Sequence, residues 1–243
     1  MPAMNSASDP AAVAAVVFLL DVDNTLLDND RIIADLRRHL EEEFGVASAD
    51  RYWVIFEQLR GELGYVDYLG ALQRYRDQIE HSGDGDHRLL KVSSFLIDYP
   101  FAERLYPGAL EVIGRLSGFG PTVILSDGDV VFQPRKVWRS GLWDAVQGRV
   151  LIYAHKEQML DQVQRLYPAR RHVMVDDKQR LLAAMKEVMG DRLVTVFPRQ
   201  GHYALDPANI ARYPHADCTI DAIGDLLTLD IGSLLGEPSR ESP

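Results

Sequence analysis

The sequence predicts an α/β fold with a mainly parallel sheet, helices on both faces of the sheet, and a separate all-helical cap. Short apolar runs alternate with helical patterns along most of the chain, which is typical of parallel strands joined by helical crossovers. Between the first two runs lies a stretch of about 75 residues in which apolar side chains recur only at helical spacing. With 243 residues and 47% apolar content, the chain can bury a Rossmann-like core of this kind.

The first predicted strand leads into the most informative residues of the chain. Val16 to Leu20 is typical of a strand buried on both faces, and Asp21, Asp23 and Thr25 follow it. The same spacing of aspartates also occurs in loops and helix caps. Here, however, the aspartates follow a predicted parallel strand, and ligands bind at the carboxyl ends of such strands. Two neighbouring carboxylates stay ionised only beside a cation, typically Mg²⁺, or with one of them protonated. The pair suits phosphate chemistry, in which one oxygen attacks phosphorus and a second carboxyl group transfers the proton.

The long helical stretch is predicted to form the cap. Its first helix has apolar residues at helical spacing, namely Ile32, Ile33, Leu36, Leu40 and Phe44. Further helical patterns lie at about 50–60, 65–81 and 87–98. The segment 81–87 contains His and Asp but lacks the ligand spacing of a calcium loop, so we interpret it as a turn. We expect the cap at 29–103, the core at 13–28 and 104–235, and disordered ends at 1–12 and 236–243.

Three later strands also end on polar residues. The run at 121–128 ends on Ser126, whose hydroxyl and following N–H groups could hold phosphate oxygens, and Gly128 frees the backbone to approach an anion. Lys156 follows the third strand, and the adjacent pair Asp176 and Asp177 ends the fourth. Each of these residues alone is usually a helix cap or a solvated side chain. Their shared position after a strand indicates a single site.

The remaining patterns complete the predicted core. A helix at 106–116 is entered at Pro107, and its expected inner stripe comprises Leu110, Ile113 and Leu116. Another crossover helix spans 133–142 and opens on Pro134, and a fifth strand is expected at 192–198. We interpret the segment after this strand as a structural loop rather than a substrate contact, although it carries Arg199, His202 and Tyr203.

The motif DVDNT at 21–25, Ser126, Lys156 and the acidic pair occur in the same order as four signature motifs of a known superfamily. On these residues the chain resembles the haloacid dehalogenase-like hydrolases, over its whole length except the ends. The resemblance implies a cap of the type inserted just after the first motif. It also implies that Asp21 is a nucleophile that forms an aspartyl-phosphate, and that Asp23 protonates the leaving oxygen and later activates water.

The resemblance further implies how the remaining site residues act. Mg²⁺ would be held by the Asp21 carboxylate, the backbone carbonyl of Asp23 and the acidic pair, in which Asp177 aligns better with the usual ligand than Asp176 does. Lys156 would neutralise the charge of the transferring phosphoryl group and orient Asp21. That group would be bound by Ser126 and by the N–H groups of Asp127 and Gly128.

Asp23 favours phosphoryl transfer among the chemistries of the superfamily. The dehalogenases lack an acid at this position because halide leaves without a proton. The sequence departs from the usual pattern where Asp127 follows Ser126 and Glu157 follows Lys156. Our first hypothesis is a Mg²⁺-dependent phosphatase acting on a small phosphorylated metabolite. A phosphomutase and a non-catalytic phosphate-binding protein are the alternatives.

The predicted cap should contain the residues that select the substrate, since such caps close over the site and exclude water. It carries the large side chains Tyr52, Trp53, Phe56, Arg60, Tyr65 and Tyr68. Most of the aromatic residues are expected to pack in the interior. Arg60 is the candidate for binding a second anionic group of the substrate.

Composition excludes some classes of protein without identifying the substrate. A formal charge of -10 argues against a general nucleic-acid or anionic-membrane binder. No apolar run is long enough to cross a membrane. Cys218 is the single cysteine, so no internal disulfide can form, and a reducing, cytoplasmic location is expected. Neither the oligomeric state nor the particular metabolite follows from these features.

Overall fold

The core is a six-stranded sheet in which all neighbouring strands are parallel. The computed structural model describes residues 13–80 and 88–236. The strands are β1 (Ala14–Leu20), β2 (Thr122–Asp127), β3 (Val150–Tyr153), β4 (Ala169–Val175), β5 (Leu193–Pro198) and β6 (Cys218–Ile220). Their order across the sheet is β3-β2-β1-β4-β5-β6, with parallel pairing throughout. The predicted Rossmann-like α/β class is confirmed.

Helices follow most of the strands and fill the stretch between the first two. The α-helices of the described residues are α1 (Asn29–Phe44), α2 (Val46–Leu63), α3 (Tyr68–Glu80), α4 (Arg88–Asp98), α5 (Ala109–Ser117), α6 (Phe132–Arg139), α7 (Leu142–Ala145), α8 (Leu160–Leu166), α9 (Gln179–Met189), α10 (Gly201–Leu205), α11 (Pro207–Ala211) and α12 (Ile231–Leu234). Short 3-10 helices also occur, two of them at Phe101–Arg104 and Lys156–Gln158.

Both faces of the sheet are covered, which explains why its strands are almost continuously apolar. Successive strand residues point to opposite faces. Phe18 and Leu20 therefore belong to one buried cluster, whereas Val17 and Leu19 belong to another. Apolar residues of α5, α6 and the inserted helices complete the first cluster, and those of α8 and α9 complete the second.

The strand register brings the ends of three strands to one edge of the sheet. Leu20 of β1 pairs with Ile124 of β2 on one side and with Val175 of β4 on the other. The N–H of Asp21 continues this ladder by donating to the Val175 carbonyl at 3.0 Å. The polar residues that follow these strands therefore emerge side by side.

Helices α1 to α4 form the insertion between β1 and β2. Helix α1 packs against α2 and α4, and α2 packs against α3. The carboxylate of Asp28 caps α1 by accepting the N–H of Arg31 at 2.9 Å, and α1 ends just before Gly45, whose φ of 82° favours glycine. The buried side chains of the insertion include Leu36, Leu40, Tyr52, Trp53, Phe56, Val92 and Leu96.

The chain leaves the core and returns to it through neighbouring backbone segments. Leu27 and Leu105 form an antiparallel bridge. On either side of this bridge, the N–H of Asp28 donates to the Arg104 carbonyl at 2.7 Å and the N–H of Tyr106 donates to the Leu26 carbonyl at 2.9 Å. The two ends of the insertion are therefore hydrogen-bonded to each other.

Two predicted helices begin elsewhere than expected. Helix α5 starts at Ala109, after Gly108 with a φ of 82°. Its buried face consists of Ala109, Val112, Ile113 and Leu116. The expectation that Leu110 lies in the inner stripe is wrong, because it is on the opposite face and 40% exposed. Helix α6 starts two residues before Pro134, and just before it the Asp129 carboxylate accepts the N–H groups of Val131 and Phe132 at 2.7 and 2.6 Å.

The carboxyl-terminal part also differs from the sequence-based expectations. The segment after β5, interpreted above as a loop, contains α10 and the start of α11, and the Asp206 carboxylate caps α11. Strand β6 has three residues and includes Cys218. The turn predicted at 81–87 and the disorder predicted at the two ends lie outside the described residues, apart from Gly236. Within 13–80 and 88–236, no helix combines the length and apolar content that a membrane span requires.

Candidate active site

Three carboxylates lie together at the carboxyl edge of the sheet. Asp21 follows β1, and Asp176 and Asp177 follow β4. One carboxylate oxygen from each residue lies within 4.8 Å of the others, and the three residues are 2%, 0% and 1% exposed, respectively. Three acidic groups buried at this separation need a balancing positive charge.

Lys156 provides part of that balance. Its ammonium lies 2.5 Å from Asp21 Oδ1 and 2.6 Å from Asp176 Oδ2, and it also donates to the Leu125 carbonyl at 3.2 Å. Burial alone would lower the pKa of Lys156, but the Asp176 and Asp21 carboxylates outweigh it and raise that pKa above its ordinary value. Lys156 is therefore a cation held between two carboxylates.

The acidic pair retains unsatisfied oxygens. Burial raises the pKa of Asp176 to about 6, and it raises the pKa of Asp177 well above its ordinary value, with Asp176 and Asp21 adding to the rise. Asp176 Oδ1 accepts the N–H of Lys178 at 2.8 Å. Among the described residues, no hydrogen-bond donor reaches either oxygen of Asp177 or Oδ2 of Asp21. Buried carboxylate oxygens without donors fit a hard divalent cation such as Mg²⁺.

Asp23 lies outside this cluster. Its Oδ1 is 2.6 Å from the ammonium of Lys136, a fully buried residue of α6. Lys136 also donates to Asn29 Oδ1 at 3.0 Å. Because the Asp23 carboxylate is engaged by Lys136, its backbone carbonyl is the group left for the metal role predicted above. The side chain of Asp23 is 24% exposed and lines a cavity beside the cluster.

Ser126 lies beside the cluster at the end of β2. Its hydroxyl is 3.5 Å from Asp21 Oδ1 and accepts from Gln133 Nε2 at 2.9 Å. The Asp127 carboxylate, whose pKa is raised by burial, accepts the backbone N–H of Lys156 at 2.7 Å. The predicted use of the Gly128 N–H for phosphate needs correction, because this N–H already donates to the Tyr153 carbonyl at 2.9 Å as the β2–β3 ladder continues.

A cavity of about 280 Å³ opens between the insertion and the carboxyl edge of the sheet. Arg60 of α2 reaches across it and donates to the hydroxyl of Tyr203 in α10. The ammonium of Lys178 lies 5.6 Å from the centre of the Tyr203 ring. Other lining residues include Asp23, Asn29, Phe56, Tyr65, Tyr68, Asp127, Arg180, His202 and Tyr213. Cationic and aromatic groups thus lie in the same cavity as Asp23 and Asp127.

Sequence reasoning missed several of these residues. Lys136 stands in a helix among other basic residues, and nothing in its spacing separates it from a solvated lysine. The sequence predicts a structural loop at Tyr203, but this residue lies in α10 and lines the cavity. His202 joins it there because both its N–H and its ring contact the Asp30 carboxylate at the start of α1, at 2.8 and 2.6 Å. Lys178 directly follows the acidic pair at the end of β4, so this local pattern could have indicated that it lies near the site.

Comparisons with known proteins agree with this architecture. A protein of Burkholderia xenovorans described as a haloacid dehalogenase-like hydrolase is 64% identical, with a TM-score of 0.85 over 91% of this chain and 99% of that one. Magnesium-bound YfnB of Bacillus subtilis is 16% identical, with a TM-score of 0.57 over 91% of this chain and 99% of that one. L-2-haloacid dehalogenase of Xanthobacter autotrophicus is 18% identical, with a TM-score of 0.56 over 90% of this chain and 98% of that one.

The last two likenesses concern the fold alone, since their sequence identities are low. No curated protein matches the chain significantly. Residues 16–188 match the family model of the haloacid dehalogenase-like hydrolases. Together with the 64% identical structure, this match shows that the chain belongs to the haloacid dehalogenase-like hydrolase family.

Proposed function

We propose that the protein is a Mg²⁺-dependent phosphatase that hydrolyses a small phosphorylated metabolite through an aspartyl-phosphate on Asp21. The observation that carries this proposal is the different surroundings of two aspartates in one loop. Asp21 lies in the buried carboxylate cluster beside Lys156, whereas Asp23 lines the cavity and is bound by Lys136. Two carboxylates in distinct environments suit distinct roles, here nucleophile and proton carrier.

In this proposal, Asp21 attacks phosphorus while Asp23 gives a proton to the departing oxygen. A water molecule then attacks the aspartyl-phosphate as Asp23 takes up its proton. Lys156 keeps the attacking carboxylate oriented and offsets negative charge on the phosphoryl group. Ser126 and the N–H of Asp127 would hold the phosphoryl oxygens. The Gly128 N–H is not part of this set, since the Tyr153 carbonyl occupies it.

The metal would be held by the Asp21 carboxylate, the Asp23 carbonyl and the Asp177 carboxylate. Asp177 is the better direct ligand of the acidic pair because both of its oxygens lack donors among the described residues, whereas Asp176 is bound to Lys156 and Lys178. When bound, Mg²⁺ would neutralise charge on the transferring phosphoryl group.

We also propose that the substrate carries a second anionic group, recognised by Arg60. Arg60 and Lys178 both line the cavity, and both contact Tyr203, Arg60 at the hydroxyl and Lys178 over the ring. Two cations around one tyrosine favour a carboxylate or a second phosphate, and the planar guanidinium can bind either through two hydrogen bonds. Phe56 and Tyr65 offer apolar surface to the rest of the metabolite.

A haloacid dehalogenase is the second candidate, because solved dehalogenases share the fold. Asp23 argues against it, since a departing halide needs no proton and that residue would have no task. The test is to incubate wild type and Asp21→Asn with phosphorylated metabolites, with Mg²⁺ or EDTA, and separately with 2-halogenated acids. Asp217→Asn, remote from the cluster, is the control.

We expect phosphate release by the wild type and by the control variant, with Mg²⁺ only, and at least about 10³-fold less by Asp21→Asn. Halide release without metal would refute the proposal in favour of a dehalogenase. Conversion of a phosphorylated sugar to its isomer without release of phosphate would identify a mutase. Binding of phosphate esters without turnover of any would identify a non-catalytic binder.

A further inference from the structure

Lys136 is a buried cation that the steps proposed above do not use. It lies in α6 with no exposed surface, and its ammonium is 2.6 Å from Asp23 Oδ1 and 3.0 Å from Asn29 Oδ1. The Phe132 ring lies beneath it, with the ring centre 5.3 Å from the ammonium. Burying an ammonium group costs free energy unless its charge is paired. The contacts of the ammonium with the oxygens of Asp23 and Asn29 and with the Phe132 ring offset this cost.

The groups around the ammonium come from three separate elements. Asp23 belongs to the loop after β1, Asn29 is the first residue of α1, and Lys136 lies in the second turn of α6. Lys136 thus links the loop of the two aspartates both to the core and to the start of the insertion. It fixes one carboxylate oxygen of Asp23, while the partly exposed side chain lines the cavity.

We propose that Lys136 is a positioning residue, which holds Asp23 so that its second oxygen exchanges a proton with the leaving group. This role rests on the phosphatase chemistry proposed above. As the bond from Asp21 to phosphorus forms and the ester bond breaks, the proton on Asp23 Oδ2 moves to the departing oxygen. In the second step a proton of the attacking water returns to Oδ2 as the Asp21–phosphorus bond breaks. A carboxyl group with one oxygen fixed meets both partners in a single geometry.

If the role of Lys136 were purely structural, its replacement would affect the activity in a different way. Loss of structural support lowers the activity toward every substrate to a similar degree. Loss of proton transfer to the leaving group matters for an alkyl phosphate, whose alkoxide leaves poorly, but not for p-nitrophenyl phosphate, whose phenolate leaves without a proton. The ratio kcat/KM isolates this step, because it covers the reaction only as far as formation of the aspartyl-phosphate.

The experiment is to measure kcat/KM of Lys136→Met for an alkyl phosphate and for p-nitrophenyl phosphate, with Mg²⁺. We expect a loss of about 10²-fold or more for the alkyl phosphate and within about threefold for the aryl phosphate. Asp23→Asn should show the same selectivity, and adding Lys136→Met to it should cause no further loss. Lys186→Met is the matched control, since Lys186 pairs with Asp217 away from the cavity. Lys186→Met should leave kcat/KM unchanged for both substrates.

Equal losses for both substrates, or no loss for either, would overturn the role of Lys136. A further loss in the double variant would also overturn it, because Lys136 would then act independently of Asp23. If Lys136→Met does not fold, as judged by thermal unfolding, Lys136→Gln keeps a neutral donor of similar length and is measured in the same way. Absence of wild-type activity toward both phosphates would instead refute the proposed function, and the role of Lys136 with it.

Discussion

Replacing Asp177 by asparagine should stabilise the metal-free protein while removing its response to Mg²⁺. The Asp177 carboxylate is buried within 4.8 Å of two others and lacks a donor among the described residues. At an effective dielectric constant of about 20, two like charges at that separation repel by about 3.5 kcal/mol. Uptake of a proton and the nearby lysines reduce this cost. We therefore expect Asp177→Asn to raise the free energy of unfolding by about 1–3 kcal/mol at pH 7.5 in EDTA.

The assay is thermal unfolding in EDTA and with Mg²⁺. A gain of about 1–3 kcal/mol corresponds to several degrees in Tm for a chain of this length. Because burial raises the pKa of Asp177 in the folded state, the cost of its charge is present at pH values above that pKa. The cost shrinks as the pH falls through that pKa and vanishes below the unfolded value of about 3.8. The advantage of the variant should follow the same course.

Mg²⁺ should stabilise the wild type by mass action and leave Asp177→Asn nearly unchanged. The control is Asp217→Asn. The pKa of Asp217 is lowered, since its hydrogen bonds to Lys186 and Thr195 outweigh the effect of its partial burial. That variant should lose stability and keep its response to Mg²⁺. A less stable Asp177→Asn in EDTA, or equal stabilisation of variant and wild type by Mg²⁺, would refute the reasoning.

Other predictions follow from the same contacts. Lys156→Met should reduce phosphate release at least about 10³-fold and lower the unfolding free energy in EDTA by about 3–5 kcal/mol, because two buried carboxylates lose their cation; urea unfolding measures the second effect. Arg60→Ala should raise KM about tenfold or more for substrates with a second anionic group, and change KM little for those without one. Steady-state kinetics with matched pairs of substrates measures this effect, and an equal change in KM for both members of a pair would refute the prediction. Leu36→Ala, at a fully buried position of α1, should cost about 2–5 kcal/mol in urea unfolding.

The sequence was sufficient to predict the parts of this molecule that depend on local patterns. Asp21, Ser126, Lys156 and the acidic pair each follow an apolar strand, and parallel strands place such residues along one edge. Alternating faces and helical periodicity predicted the class of fold for the same reason. These features can be predicted without knowledge of distant contacts, because the periods of strands and helices depend on residues that are close in sequence.

The features that could not be predicted depend on tertiary contacts. Whether Lys136 is solvated or buried depends on Asp23 and Asn29, which are more than a hundred positions away. The Gly128 N–H is unavailable because β3 arrives beside it. The exposure of Leu110 depends on which face of α5 the core covers, and that face contains Ala109, Val112 and Ile113 instead. Tyr203 reaches the cavity through a helix of five residues, too short to have a recognisable period.

The hydrogen-bonded ends of the insertion have a consequence for how this architecture can be modified. Because the chain leaves and re-enters the core at Leu27 and Leu105, which pair directly, the sheet does not depend on what lies between them for its connectivity. A segment that replaces the residues between these two positions must have ends that are equally close, and it must also supply the apolar side chains that the inserted helices give to the core. A two-residue turn of the kind that closes a β-hairpin would meet that geometric requirement. Selectivity can thus be redesigned by replacing one continuous piece of chain, with the contact between Asn29 and Lys136 kept so that the surroundings of Asp23 are preserved.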